Sequence, residues 1–318
     1  MKGIFVGLIV LGGVALVGGA ALFAYGLSKN SSNSELVTHE YTFEDNIDSI
    51  NVDLNTANLE FKKAEDDKTK VVCVEKEKVY HVVEAKSDTL SIKIQDERKW
   101  YQKYLLNFSF QKMTVTVYLP EASYKDVVVD ADTSNILINK EFTFDNINLK
   151  TSTGNMKIYS SVTNKIDLKM STGDVTLDNV NAKNIKSESS TGKFIYTTGQ
   201  VEENIEVKTS TGDIRFDHVK AQNLNAKAST GDVKLVDTVV DKHIEIKTST
   251  GDVRFDRSDA ETITVDTSTG YIKGTLLTPK KFDVDYDTTK PKLPPVDTWD
   301  GGLCKLSTDT GAIDISIA

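Results

Sequence analysis

The chain has 318 residues, a formal net charge of −9 and a pI near 5.1, with 39% hydrophobic residues and only five prolines. That apolar content suffices for a packed core, and the acidic balance excludes an ordinary nucleic-acid binder, which needs a net basic footprint over phosphates. The two cysteines, Cys73 and Cys304, lie too far apart to read as a disulfide framework, and His39, His81, His218 and His243 are scattered without metal-ligand spacing. No metal, cofactor or catalytic residue is therefore expected.

Residues 3–27 carry no charge. At 1.5 Å per residue, a helix of about 25 residues crosses a hydrocarbon core of about 30 Å. Residues 1–29 thus read as a cytoplasmic stub and a single transmembrane helix. The rival reading is a cleaved signal peptide, but its apolar region should be only about 7–15 residues long and no clean A-x-A site precedes the polar flank. Lys2 and the terminal amine place the N-terminus in the cytoplasm, so the bulk of the chain is expected outside the cell membrane. Ala15 with Gly19, and Ala20 with Ala24, follow the small-xxx-small spacing that lets two helices approach. Residues 30–37 are polar and Ser/Asn-rich and read as a short flexible stalk.

Residues 38–126 form an N-terminal β region. Ile50, Val52 and Leu54, the tetrad Asn55-Thr56-Ala57-Asn58, then Leu59 and Phe61 read as a strand, a turn and a strand. Between residues 65 and 120 this register is lost, and the alternation Met113-Val115-Val117 predicts an antiparallel insertion or cap, which a repeat array needs at its open edge.

Residues 127–318 are dominated by a repeat. The tripeptide S-T-G recurs with its glycine at Gly154, Gly173, Gly192, Gly212, Gly231, Gly251 and Gly270, a period of 19 or 20 residues, and Gly311 closes a variant copy. Seven residues before the seven regular glycines stand Ile147, Ile166, Ile185, Ile205, Leu224, Ile244 and Ile263; two residues after them stand Met156, Val175, Phe194, Ile214, Val233, Val253 and Ile272. Period-2 alternation on both sides of the turn puts one face inward. Lysines and arginines fill the outward positions, as at Lys150, Lys169, Lys208, Lys227 and Lys247. Val180 with Ala182, and Val219 with Ala221, predict a third edge. A unit this short without a helix is a coil of a parallel β-solenoid. Ser134 in the glycine slot and Cys304 in the isoleucine column extend the array to about ten coils. Residues 290–302 (KPKLPPVDTWDGG) interrupt it and read as a protruding loop.

The apolar N-terminal segment, the stretch MTVTVYLP at residues 113–120 followed by VVVDADTSNI, and the run of S-T-G-D turns together resemble the DUF4097 family of bacterial envelope proteins. The resemblance covers residues 40–318 and implies β-strand repeats and an adhesin-like role at the cell surface. It implies no catalytic residues. Lys193, Tyr271 and the Pro-rich stretch depart from the usual turn.

Stacked turns would align Asp174, Asp213, Asp232 and Asp252 in one column and Asp178, Asp217 and Asp256 in a second. Such columns could hold Ca²⁺. The calcium nonapeptide is missing, however, and Gly, Ser, Thr and Asp together favour turn chemistry, with glycine in a left-handed conformation and the polar side chains capping local N–H groups. The pairs Thr151/Thr153, Thr209/Thr211, Thr248/Thr250 and Thr267/Thr269 also invite comparison with flat ice-binding faces. The function expected first is a non-enzymatic, membrane-anchored surface protein that binds cell-wall material, a cationic peptide or an envelope protein. An envelope-stress regulator acting through a membrane partner, and a polysaccharide-active enzyme, are the alternatives.

Overall fold

The computed structural model describes residues 24–26, 36–44, 46–98, 112–295 and 302–318. Among these the chain is all β, and strands of successive coils pair in parallel. A long strand such as Thr143–Thr153 runs into each S-T-G turn, a short one such as Met156–Ile158 leaves it, and a third edge returns the chain. Ile147, Ile166, Ile185, Ile205, Leu224, Ile244, Ile263 and Cys304 pair each with the next in one unbroken register. None is more than 2% exposed. Cys304 is thus a core residue. On the third edge Ala182, Val201, Ala221, Val240 and Ala260 stack in the same way. The twentieth residue of the longer repeats is absorbed there as a register slip, as between Val201 and Asn204 and between Val240 and His243.

Nine turns, at Ser134, Gly154, Gly173, Gly192, Gly212, Gly231, Gly251, Gly270 and Gly311, form one edge of the solenoid. Below them Ser49–Leu54 and Ala57–Lys63 make a first rung, pairing with Ser123–Thr133 and Ile136–Ile138.

The segment expected to be an antiparallel insertion is antiparallel only in part. Thr89–Asp96 and Met113–Leu119 lie parallel to the first rung and continue the solenoid past it. Antiparallel strands then close this end: Thr69–Lys76 on Met113–Leu119, Val79–Lys86 on Thr89–Asp96, and Leu36–Phe43 on Thr69–Lys76. Covering the edge removes a template for pairing with another chain.

Residues 1–23 and 27–35, which hold most of the expected spanning segment and stalk, lie outside the described residues. Ala24–Gly26 is a short strand against Leu36–Phe43, and no helix among the described residues is long and apolar enough to cross a membrane.

At the other end the rungs are out of chain order. Leu303–Thr310 pairs with Thr262 to Thr269 on one side and with Lys281–Tyr286 on the other, so a later strand enters between two earlier ones. Lys292, expected in a protruding loop, instead lies over the final rung, donating its N–H to Ile313 O and accepting from Ile315 N.

Candidate functional site

The S-T-G-D turns are built by three hydrogen bonds that each pass between coils. The glycine N–H donates to the threonine carbonyl of the next coil, as from Gly212 to Thr230 at 2.9 Å. That next coil returns a hydroxyl to the glycine carbonyl: Thr248 to Gly231, Thr267 to Gly251 and Thr308 to Gly270, at 3.0 to 3.3 Å. The third bond runs from a backbone N–H to the Asp below it. Asp174, Asp213, Asp232 and Asp252 accept from the N–H groups of Lys193, Asp232, Asp252 and Tyr271. Upstream, Asn58, Asn135 and Asn155 do the same work. The carboxylates therefore serve the next coil, not their own turn as expected.

The glycines also differ from expectation. Their φ values run from +132° at Gly154 to +159° at Gly270, in the mirror-image extended region and not the left-handed helical one. At Gly212 a Cβ would lie 2.0 Å from the carbonyl oxygen of Gly192. Close stacking and positive φ both demand glycine there.

Two expected ligand faces dissolve. In the second acidic column Thr197 stands between Asp178 and Asp217, and Val236 between Asp217 and Asp256. These carboxylates are two strand spacings apart, about 10 Å. The threonine pairs do not form a flat face either, because Thr151, Thr209, Thr248 and Thr267 are buried and only their partners are exposed.

Acids and bases gather at one corner. Asn179, Thr198, His218, Asp237 and Arg257 all have φ between +43° and +55°. Arg215 pairs with Asp217, His218 Nδ1 lies 2.6 Å from Asp217 and its Nε2 3.5 Å from Asp237, and Arg257 binds Asp237 at 2.6 Å. Burial would raise the Asp217 carboxyl, but Arg215 and His218 outweigh it and hold it below the usual range; Arg257 does the same for Asp237.

On the long side of the coils, Lys208, Lys227 and Lys247 occupy the same position on three successive rungs. They line a shallow groove with Ser229, Ser249 and Ser268, and Asp266 closes one end of it. Lys247 pairs with Glu245 on its own strand, while among the described residues neither Lys208 nor Lys227 has a carboxylate in ion-pair range. Like charges at strand spacing repel, and the stack is bounded by Glu188 on the rung before Lys208 and by Asp266 on the rung after Lys247.

A second cluster brings together two histidines, His39 and His81, that lie far apart in sequence. In the cap, Cys73, Glu75 and His81 come together with potential ligand atoms within 4.8 Å of one another, and His39 reaches the same carboxylate. Cys73 and Glu75 alternate onto one face of a strand and His81 follows a two-residue turn. That cross-strand geometry has no linear signature of the usual metal-site kind.

The family model of Toastrack DUF4097 matches residues 47–285 and, in a second alignment, residues 194–317. The chain belongs to the DUF4097 family. A search of the curated proteins finds no match. Among solved structures, a protein described as a putative lipid binding protein from Parabacteroides distasonis is 18% identical, with 76% of this chain and 97% of that one covered at a TM-score of 0.50. A putative adhesin from Bacteroides fragilis is 14% identical, covering 89% of this chain and 98% of that one at 0.45. Another from Parabacteroides distasonis is 13% identical, with 89% and 98% covered at 0.48. At 18% identity, the DUF4097 chain shares a fold with the first of these structures and nothing more is carried over.

Proposed function

We propose that this DUF4097 protein is a non-enzymatic binding protein of the cell surface, and that its ligand is a repeating polyanion of cell-wall type. The observation that carries this reading is the stack of Lys208, Lys227 and Lys247 on consecutive rungs, with serine hydroxyls beside it. Strand spacing of about 4.8 Å presents cations at regular intervals, which suits phosphate or carboxylate groups repeated along a polymer. The same stack repels a cationic peptide. The corner cluster gives no support to glycoside hydrolysis: Arg215 and His218 lower the Asp217 carboxyl and Arg257 lowers that of Asp237, whereas that reaction needs one carboxyl raised to serve as acid.

Membrane anchoring belongs to the same proposal. With Ala24–Gly26 given to a strand, residues 3–23 still supply about 20 apolar or small residues, the length a span needs.

The test is sedimentation of the full chain with intact cell envelopes and, separately, with purified anionic wall polymer. Retention that survives alkaline washing of membranes, and polymer binding that weakens about tenfold or more with added salt and in a Lys208→Gln/Lys227→Gln/Lys247→Gln variant, is the expected result. Polymer binding unchanged in the triple variant removes the groove; no binding to envelope or polymer removes the function.

A further inference from the structure

The cap holds a group of residues that neither the solenoid nor the groove uses. Thr69–Lys76 alternates buried and half-buried positions, so Cys73 and Glu75 share its inward face. His39, on Leu36–Phe43, is paired directly opposite Cys73. His81 comes from Val79–Lys86, the return strand of the same hairpin. Cys73, Glu75 and His81 are all 0% exposed.

Such burial is costly for a carboxylate unless it is neutralised. Glu75 Oε2 accepts the His81 backbone N–H at 2.7 Å and lies 2.6 Å from His81 Nδ1; Oε1 lies 2.5 Å from His39 Nδ1. No lysine or arginine pairs with it among the described residues; its ion-pair partners are the two imidazoles. His81 Nε2 is buried with no hydrogen-bond partner. That nitrogen lies across the ring from Glu75, so Nδ1 is the His81 atom that faces the carboxylate.

We propose that Cys73, Glu75 and His81 bind one divalent transition-metal cation of the zinc class, with His39 steadying the far oxygen of Glu75. A thiolate, a carboxylate and an imidazole form a borderline-soft donor set that suits Zn²⁺ better than Ca²⁺ or Mg²⁺. Two anionic ligands and one neutral ligand cancel the ion's charge in a place where no solvent can. On binding, the S–H bond of Cys73 breaks, sulfur keeps the electron pair and joins the metal, and the proton leaves to solvent.

The position gives the ion something to hold. Thr69–Lys76 and Val79–Lys86 share a single paired position, Lys76 with Val79, and then part: one joins Met113–Leu119 and the other Thr89–Asp96. Cys73 and Glu75 stand on one side of that split and His81 on the other. A metal would tie the two sides of the cap together.

The full chain, purified without chelators, is expected to retain about one equivalent of zinc and to unfold at lower temperature once it is stripped. Co²⁺ replacing zinc should give the near-ultraviolet charge-transfer band of a cobalt thiolate in the wild type and in Cys304→Ser, but not in Cys73→Ser; His81→Gln should weaken Co²⁺ binding at least tenfold. X-ray absorption of the zinc-loaded wild type, which needs no variant to fold, should show one sulfur at about 2.3 Å. A wild type that retains no zinc and gives no band with stoichiometric Co²⁺ overturns the proposal. So does a band that survives Cys73→Ser, or a zinc shell of oxygen and nitrogen alone.

Discussion

Lys193 interrupts the inter-coil ladder between Asn58 and Asp252, and the gap can be repaired. Each turn residue from Asn58 to Asp252 that carries an Asx side chain accepts an N–H from the coil above. Lysine cannot accept. Its ammonium instead pairs with Asp213 at 3.0 Å, and this contact is the first cause of the lowered Asp213 pKa. Both partners are about half exposed, so solvent screens the pair and it contributes little. Lys193→Asn would supply the missing acceptor without adding a charge between Asp174 and Asp213. We expect it to stabilise the chain by about 1 kcal/mol, the net worth of one such bond, read as a higher denaturant midpoint at unchanged slope. A lower midpoint would mean that the ion pair outweighs the ladder. The repeat letters S-T-G-D were legible in the sequence because they recur, but their partners were not. A carboxylate beside its own turn looks like a local cap until the next coil is laid on top.

At the scale of the element, the same coil has two corners built on opposite principles. From Gly154 to Gly270 the S-T-G corner uses glycine at φ between +132° and +159°, where a Cβ would strike the coil below, and only the first turn, at Ser134, does without it. The corner at Asn179, Thr198, His218, Asp237 and Arg257 uses the left-handed helical region, and no glycine appears in it. Asparagine and aspartate enter that region at modest cost, whereas a β-branched residue is strained there. Thr198, at φ +51°, is exposed, so its side chain gives up little packing when replaced. Thr198→Asn should therefore raise stability by about 1 kcal/mol, measured by thermal or urea unfolding; a neutral or negative outcome would show that the corner carries no strain. Glycine columns announce the first corner to a reader of the sequence. The second is silent, because asparagine, threonine, histidine, aspartate and arginine share no pattern in one dimension and share only a backbone angle in three. Cys73, Glu75 and His81 were hidden for the same reason: hairpin geometry, not spacing along the chain, makes them neighbours.

For the whole molecule, periodicity reports what a rung contains but not where it is placed. Nothing in the repeat indicated that Leu303–Thr310 would enter between the coil of Gly270 and Lys281–Tyr286. This placement separates two deletions of similar length. Removing residues 213–231 joins Gly212 to Asp232, deletes one full coil, and leaves every column in register, since stability in a stacked array is close to a sum of coils and their interfaces. Removing residues 303–318 deletes fewer residues but strips Lys281–Tyr286 of its partner strand and bares the edge carrying Ile263, Val265 and Ile272. An open, apolar edge invites pairing with another chain. The interior deletion should keep the oligomeric state of the full chain and unfold cooperatively at a slightly lower temperature. The terminal deletion should self-associate and lose amide-exchange protection first along Val253–Thr269, the strand that Leu303–Thr310 covers. Equal behaviour of the two variants in ultracentrifugation and hydrogen exchange would show that the last rung is an ornament of the solenoid and not its cap.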